Sequence, residues 1–239
     1  MNKLTTIIAS AAIAMLSFAS TANSIEYKVG LTGQATAYYG NVEEQLKDGG
    51  RKTSEEALAA FSYMSGFAEI SVESLMGLTV GLQYTPDLFE MPTADRVIFN
   101  SNTDAGGNTT PAAIIGEETG TQTIKASVEE QLMMYVAMPI MGSGLHVKLG
   151  LSQATLKTEE NLATGSTYKD VDLDGTSIAM YYDGDIGDMA FYRVEGMYTE
   201  MDDIKVTGTE VGVAGSGSFN TISAELGGVS ASLSLGLRF

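Results

Sequence analysis

Apolar and polar residues alternate with a period of two over much of this chain. From Ile25 to Tyr39 the alternation is unbroken: the odd positions are mostly apolar or aromatic, and the even positions are mostly polar. Successive side chains of a β-strand point to opposite faces, so the pattern predicts a strand with one apolar face. Such a strand is longer than the ~5–6 residues typical of globular domains and sufficient for the ~9–11 residues that cross a bilayer.

The same alternation predicts seven further strands. They are placed at about 57–73, 77–85, 123–138, 145–156, 175–183, 189–201 and 229–239. Three connections between the strands are short, and the other four, 40–56, 86–122, 157–174 and 202–228, are long. Alternating short and long connections are typical of membrane β-barrels. We therefore predict an all-β, antiparallel, up-and-down transmembrane barrel of eight strands, with ten strands as the alternative if 96–99 forms a hairpin arm.

Two places conflict with this prediction. Glu130 has the parity of the lipid-facing positions, so it must lie at the rim or beside a β-bulge that shifts the register. On the second strand, Phe61, Tyr63 and Phe67 point inward, which is more aromatic than we expect for a barrel interior. A bulge near Gly66 would turn them outward.

Residues 1–22 have the pattern of a secretory signal peptide. Lys3 precedes an apolar segment at about 5–19, and small residues end the region at Ala22. The apolar segment is shorter than the ~20 residues that a membrane-spanning helix needs. We predict cleavage after Ala22 and a barrel domain over 23–239.

The final strand carries a specific resemblance. Leu233, Leu235, Leu237 and Phe239 share its apolar face. Together with the signal segment, this strand resembles those of bacterial outer-membrane β-barrels, and the chain looks like the small barrels of the OmpA and OmpX kind. In that family a final amphipathic strand ending in Phe is the signal read by the outer-membrane assembly machinery. The resemblance implies an outer-membrane location and contact with outer-membrane lipid and lipopolysaccharide.

The charge balance narrows the function. The chain has 30 acidic and 13 basic residues, a net charge of −17, which excludes nucleic acid as a partner because phosphate contacts need clustered Lys and Arg. The four long connections hold 20 Asp and Glu against 7 Lys and Arg. We expect a structural or surface-interaction role through these acidic outer loops. A small pore for ions or solutes is the alternative.

The inward parity collects charged residues. They are Glu26, Lys28, Glu69, Lys148, Arg193 and Glu195. The interior of an eight-stranded barrel is just wide enough for side chains to fill, so we predict a packed ionic network; a gated solute path is the alternative. His146 is the only histidine and cysteine is absent, so we predict no catalytic residues and no cofactor.

Three acidic residues offer weak candidate metal ligands. Asp170, Asp172 and Asp174 match the opening half of a calcium loop, but Tyr181 stands where the closing carboxylate belongs. Looser bridging of lipopolysaccharide by divalent cations at the acidic loops is a further expectation.

Tyrosines fall near the predicted strand ends on the outward face. They are Tyr27, Tyr39, Tyr84, Tyr182 and Tyr198. Aromatic residues concentrate at the two membrane–water interfaces of such barrels, so we predict that these tyrosines form the interfacial girdles.

Overall fold

The computed structural model describes residues 25–45, 52–90, 94–98, 101–103, 109–111, 120–161, 168–208 and 221–239. Within these residues the chain forms strands and one short 3-10 turn at Glu73–Leu75. The strands are β1 (Ile25–Gln45), β2 (Lys52–Val72), β3 (Leu78–Glu90), β4 (Ala94–Ile98), β5 (Ser101–Thr103), β6 (Thr109–Pro111), β7 (Gly120–Pro139), β8 (Leu145–Asn161), β9 (Val171–Ile186), β10 (Ala190–Met201), β11 (Ile204–Thr207) and β12 (Thr221–Arg238).

Eight long strands close into an antiparallel barrel. Their order is β1-β2-β3-β7-β8-β9-β10-β12, and β12 pairs back onto β1. The predicted eight-stranded, all-β barrel is therefore confirmed. The ten-stranded alternative is wrong, because β4 only adds to the outer end of β7 at 120–124 and does not cross the wall. Among the described residues, no helix is long and apolar enough to cross a membrane.

The barrel has two distinct ends. Tyr27 and Phe239 exchange two backbone hydrogen bonds of 3.0 Å, so the first and last described strands meet at one end. The turns at 73–77, 140–144 and 187–189 lie at the same end, because the strand pairs there are Ile25 with Val72, Leu145 with Tyr182 and Ala190 with Leu237. We call this the short-turn end. The opposite end carries the long connections and is called the long-loop end.

The strands reach further towards the long-loop end than predicted. β1 continues to Gln45, and its outer part still pairs with β12, where Glu43 lies opposite Ser223. β2, β3, β7, β8, β9 and β12 likewise extend into segments that we predicted as loops. Backbone pairing does not require the apolar alternation that lipid contact imposes, so the alternation ends before the strand does. Many acidic residues of the predicted loops therefore lie on strand extensions.

An apolar belt covers the outer wall. Large apolar side chains on the outward face are about half exposed, for example Leu31 at 62 %, Leu151 at 54 % and Leu233 at 57 %. Monomeric soluble proteins rarely expose contiguous apolar patches of more than a few hundred Å². The belt therefore fits a wall that faces lipid hydrocarbon.

The wall is split along one line. β2 and β3 pair only from Gly66 opposite Tyr84 to Val72 opposite Leu78. Beyond Gly66, the described part of β2 pairs with β1 alone, and β3 beyond Tyr84 pairs with β7 alone. We call this line the β2–β3 seam, and it opens towards the long-loop end.

The two conflicts found in the sequence have different solutions. Glu130 lies in a bulge: the pairing of β7 with β8 shifts between Glu129 and Leu132, and Glu130 has a left-handed φ of 56°. The predicted bulge near Gly66 is wrong. β1 and β2 pair without interruption, so Tyr63 and Phe67 point inward and are buried.

Inward glycines make room for three of the inward aromatic rings. Gly30 lies directly opposite Phe67, Gly81 opposite Tyr135, and Gly236 opposite Phe191. A Cβ atom on Gly81 would stand 2.3 Å from the Tyr135 ring, which is closer than atoms can approach. Each of these glycines therefore leaves room for the aromatic ring on the facing strand, and the ring fills that part of the narrow interior.

This packing predicts a strong contrast between two glycine substitutions. Gly81→Ala places a methyl group inside the Tyr135 ring and should lower the free energy of unfolding by about 1–3 kcal/mol, the usual cost of overpacking. Gly196→Ala is the matched control, because a Cβ there meets nothing within 4 Å. Urea unfolding of the refolded protein in detergent micelles measures both. Equal effects of the two substitutions would contradict the glycine–ring packing.

Candidate functional site

The barrel interior is built in three layers along its axis. The layer nearest the short-turn end is charged and aromatic. The middle layer holds hydroxyl and amide groups, with hydrogen bonds such as Thr32 to Ser234 at 2.8 Å and Gln83 to Ser65 at 2.9 Å. Towards the long-loop end the interior is apolar, and its buried members are Leu88, Val128, Ala154, Leu173, Ile204 and Val206.

Arg193 is the centre of the charged layer. Its guanidinium donates to both carboxylate oxygens of Glu69, at 2.5 and 3.0 Å, and to both oxygens of Asp183, at 2.7 and 3.0 Å. Lys28 adds a contact of 3.2 Å to Asp183. The planar guanidinium matches carboxylates in this two-pronged geometry, so Arg193 fastens β2 and β9 to β10 across the interior.

A second ion pair lies in the same layer. Lys148 Nζ donates to Glu195 Oε1 at 2.6 Å. Tyr135 connects the two groups, because its hydroxyl donates to Glu69 at 2.6 Å and its ring lies 4.7 Å from Lys148 Nζ. Three cations thus meet three carboxylates, and the layer has no net formal charge.

Aromatic rings complete the layer. The Arg193 guanidinium carbon lies 3.9 Å from the centre of the Tyr181 ring and 5.2 Å from that of Phe67. The exposed fraction is 0 % for Phe191, 1 % for Tyr181 and 3 % for Arg193. Buried charges are tolerated when they are paired and hydrogen-bonded, and both conditions hold here. The described side chains of this layer are therefore closely packed and almost fully buried.

The predicted network residues divide into two groups. Lys28, Glu69, Lys148, Arg193 and Glu195 are all buried in the charged layer.

Glu26 lies instead at the rim of the short-turn end, where its side chain is 38 % exposed and approaches Arg238 at 3.6 Å. Parity along a strand gives the face of a residue but not its depth, and Glu26 is the second described residue of β1.

Three polar members of the layer were not among the predicted network residues. Asp183 is the last residue of the predicted strand 175–183, and β9 continues to Ile186, so Asp183 keeps the inward parity of Tyr181. Tyr135 and Tyr181 have inward parity on β7 and β9 and are buried. An acidic or phenolic residue with inward parity was the signal that could have identified them.

His146 lies beside the charged layer near the short-turn end. Its ring stacks on Tyr181 with centroids 4.6 Å apart and planes 2° from parallel. Its Nδ1 atom has no hydrogen-bond partner among the residues described. No nucleophile is therefore paired with Nδ1 of this histidine in that part of the chain.

The acidic residues proposed as metal ligands lie near the long-loop end of β9. Asp170 and Asp172 are exposed, and Asp174 accepts a hydrogen bond of 2.8 Å from Gln153. In the ranges that the structure describes, no three His, Cys, Asp or Glu residues converge as a metal site requires.

An ion pair of the long-loop half joins β7 to β8. Lys157 Nζ donates to Glu129 Oε2 at 2.5 Å, next to the bulge at Glu130. This hydrogen bond raises the pKa of the Lys157 ammonium group, and the Glu129 charge adds to the effect. Both side chains are partly exposed, so the pair belongs to the aqueous part of the wall.

The predicted girdle tyrosines are all partly exposed on the outward face. Near the long-loop end, the hydroxyl of Tyr39 donates to that of Tyr198 at 3.1 Å. Tyr182 lies near the short-turn end beside Tyr192, with ring centroids 6.4 Å apart.

The distance along the membrane normal between the tyrosines of the two ends can be estimated from β1. Tyr27 and Tyr39 are twelve residues apart. At ~3.3 Å per residue and a tilt of ~40°, this separation is roughly 30 Å, close to the thickness of a bilayer hydrocarbon core. Tyr84 lies opposite Leu132, two residues from the Glu130 bulge. The role of these tyrosines as girdles stays a prediction.

Comparison with known proteins identifies the fold. No protein-family model matches the chain, and no curated protein matches it. The solved structure of the outer membrane protein OprG from Pseudomonas aeruginosa matches with a TM-score of 0.50 at 12 % identity, covering 91 % of this chain and 97 % of that one.

Two further structures of outer-membrane proteins also match. Outer membrane protein AlkL has a TM-score of 0.47 at 12 % identity, covering 91 % of this chain and 92 % of its own. The outer membrane protease OmpT from Escherichia coli has a TM-score of 0.39 at 12 % identity, covering 92 % and 98 %. The match to OprG, together with the closed eight-stranded wall, shows that the chain has the fold of bacterial outer-membrane β-barrels. Together with the apolar belt, this fold supports a location in the outer membrane, embedded in its lipid, with the short-turn end towards the periplasm.

Removal of Arg193 tests the charged layer. Arg193→Met keeps an apolar stem but leaves Glu69 and Asp183 buried with too few cations, which should lower the free energy of unfolding by about 3–5 kcal/mol. Arg238→Met is the control, because its partner Asp185 is 73 % exposed and surface ion pairs contribute about 0–1 kcal/mol. Urea unfolding in micelles compares them. A loss at Arg193 no larger than that at Arg238 would contradict the central role of this residue.

Proposed function

We propose that this outer-membrane barrel is a closed, non-enzymatic scaffold with a structural or surface-interaction role exerted through its acidic long-loop end. The observation that supports closure is the charged layer, in which Arg193, Glu69 and Lys148 are at most 3 % exposed. An open pore would have to leave such groups in contact with water. Steady permeation through the barrel axis would therefore require the layer to rearrange.

The proposal includes the route to the membrane. The segment 1–22, which lies outside the described residues, would direct export as a signal peptide. The final strand presents Leu233, Leu235 and Leu237 to the lipid and closes the barrel against β1. We assign to this strand and Phe239 the contact with the outer-membrane assembly machinery.

The long-loop end supplies the interaction surface. Glu56, Glu200, Asp203 and Glu225 line one groove there, beside the bonded pair of Tyr39 and Tyr198. A surface of this sign repels the phosphates of lipopolysaccharide unless divalent cations screen it. We therefore propose loose, cation-dependent contact with lipopolysaccharide at this end.

Planar-bilayer recording tests closure directly. Folded, purified protein should give no steady unit conductance, since the charged layer blocks the axis. Reproducible steps of one size from the unmodified protein would contradict the proposal. A large open porin recorded under the same conditions is the control for the sensitivity of the recording.

A paired variant tests whether the charged layer is the barrier. Lys148→Ala combined with Glu195→Ala removes both partners of one ion pair, so no unpaired charge stays buried. This double variant should conduct measurably more than the unmodified protein. Heat-modifiable migration in detergent gels verifies that it folds. A folded variant that conducts no more than the unmodified chain would show that the barrier lies elsewhere.

The β2–β3 seam favours a second candidate function, the passage of small apolar solutes between the outer part of the interior and the surrounding lipid. The interior beside the seam is apolar and includes Leu88 and Val128. An apolar groove of about 910 Å³ on the outer wall includes Gly66 and Tyr84, where the seam begins. A lateral path of this kind would not cross the charged layer.

Cross-linking tests the lateral path, and the chain contains no cysteine to interfere. A short bis-maleimide joined to Met64→Cys and Pro86→Cys, on the two sides of the seam, should reduce transfer of a small apolar solute into vesicles. The matched control joins Ala68→Cys to Leu82→Cys, which face each other where the wall is already paired. Equal transfer by the two cross-linked proteins would exclude the seam as a path.

A further inference from the structure

The three turns of the short-turn end all expose large apolar side chains. The exposed fraction is 65 % for Met76, 85 % for Met141 and 56 % for Met189. Each methionine is accompanied, in its turn or next to it, by an exposed aliphatic residue, namely Leu75, Ile140 or Ile186. Turns in water favour Gly, Asn, Asp and Ser, so three turns with this composition need an explanation.

The geometry of the first turn does not explain its methionine. Met76 has a left-handed φ of 61°, a conformation that Gly and Asn adopt far more readily than Met. An asparagine would suit both this backbone and an aqueous surrounding. An apolar side chain is present at Met76 although the backbone disfavours it, which points to a role for the side chain itself.

The turn at 140–144 satisfies its own polar groups. The Ile140 N–H donates to the Leu145 carbonyl at 2.7 Å, and the Ile140 carbonyl accepts from the N–H and hydroxyl of Ser143 at 3.1 and 2.7 Å. The Leu145 N–H donates to Ser143 Oγ at 3.1 Å. A turn paired in this way loses little hydrogen bonding when it leaves bulk water.

The turn side chains continue the apolar belt. Met138 and Tyr182 are belt residues on β7 and β9, exposed by 50 % and 42 %, and Met141 and Ile186 follow them along the chain. Exposed apolar side chains of the belt are therefore followed by exposed apolar side chains at the turns. The same turns carry exposed carboxylates, among them Asp188, which disfavours an anionic membrane surface.

We propose that Met76, Met141 and Met189 insert into the headgroup region of the inner leaflet, and that the partner is zwitterionic phospholipid. The three turns then act as apolar anchors that set the depth of the barrel in the membrane. The exposed carboxylates of the turns remain at the level of the headgroups.

Single tryptophan variants test this placement, because the chain contains no tryptophan of its own. Met141→Trp, Met76→Trp and Met189→Trp are each refolded into phosphatidylcholine vesicles, and their folding is verified by heat-modifiable migration. Leu233→Trp, in the belt, is the control for deep lipid contact. Thr207→Trp, exposed on β11, is the control for water.

Quenching by brominated phosphatidylcholine gives the depth of each indole. We expect the turn variants to emit at shorter wavelength than Thr207→Trp, and to be quenched more by bromine near the headgroup than by bromine near the acyl end. Leu233→Trp should show the reverse order. Turn variants that emit like Thr207→Trp and resist quenching would overturn the proposal and leave a periplasmic protein as the partner.

A double variant that introduces no fluorescent residue tests whether the lipid partner is zwitterionic. Met141→Ser with Met189→Ser should slow folding into phosphatidylcholine vesicles but leave folding into detergent micelles unchanged. In vesicles rich in phosphatidylglycerol, the difference between this double variant and the unmodified chain should shrink. A larger difference in the anionic vesicles would overturn the assignment of zwitterionic lipid.

Discussion

Backbone N–H and C=O groups find no water in a hydrocarbon layer, and the rest of this structure depends on that constraint. Each strand in the membrane must pair on both sides, so the sheet has to close. Closure occurs between β12 and β1, whose register runs unbroken from Arg238 opposite Lys28 to Thr221 opposite Gln45. Two departures from this pairing lie towards the long-loop end: the β2–β3 seam, and the outer part of β12, which pairs with β11 instead of β10. The bulge at Glu130 is a third departure, between β7 and β8.

Closure with eight strands dictates what the interior can contain. The enclosed space is about as wide as the side chains that point into it, so the rings of Phe67, Tyr135 and Phe191 each lie opposite a glycine on a facing strand. The same narrowness keeps water from solvating a charge. Arg193 is therefore held by two carboxylates at once, and Lys148 by a third, so that the layer is neutral. Neutrality and close packing together allow this layer to be buried, and they are the basis for our proposal that the barrel is closed.

Local alternation was sufficient to predict the strands, their number and the inward face. Lys28, Glu69 and Arg193 were assigned to the interior on parity alone, because parity is a property of each strand by itself. Depth was not accessible in the same way: Glu26 has the correct parity but lies at the rim. Asp183 was not assigned to the interior because it is the last residue of the predicted strand, whereas the backbone pairing of β9 continues to Ile186.

Features that depend on the facing strand could not be predicted from the alternation within a single strand. The inward aromatic residues of β2 suggested a bulge near Gly66. The structure instead places Phe67 opposite Gly30, and Tyr63 opposite Gln34, from which its hydroxyl accepts a hydrogen bond. The β2–β3 seam is likewise a property of two strands together. A period of two shows where a strand lies but not how far it stays paired with each neighbour.

The glycine–ring pairs also govern how this chain can change over time. A larger residue at Gly81 becomes acceptable only once Tyr135 has been replaced by something smaller, and Tyr135 also donates to Glu69 in the charged layer. The two positions, 54 residues apart in sequence, therefore form an epistatic unit whose members must be exchanged in a set order, ring first. Few mutational routes are open at these positions, because the narrow interior has no space for a larger residue while the facing ring is present.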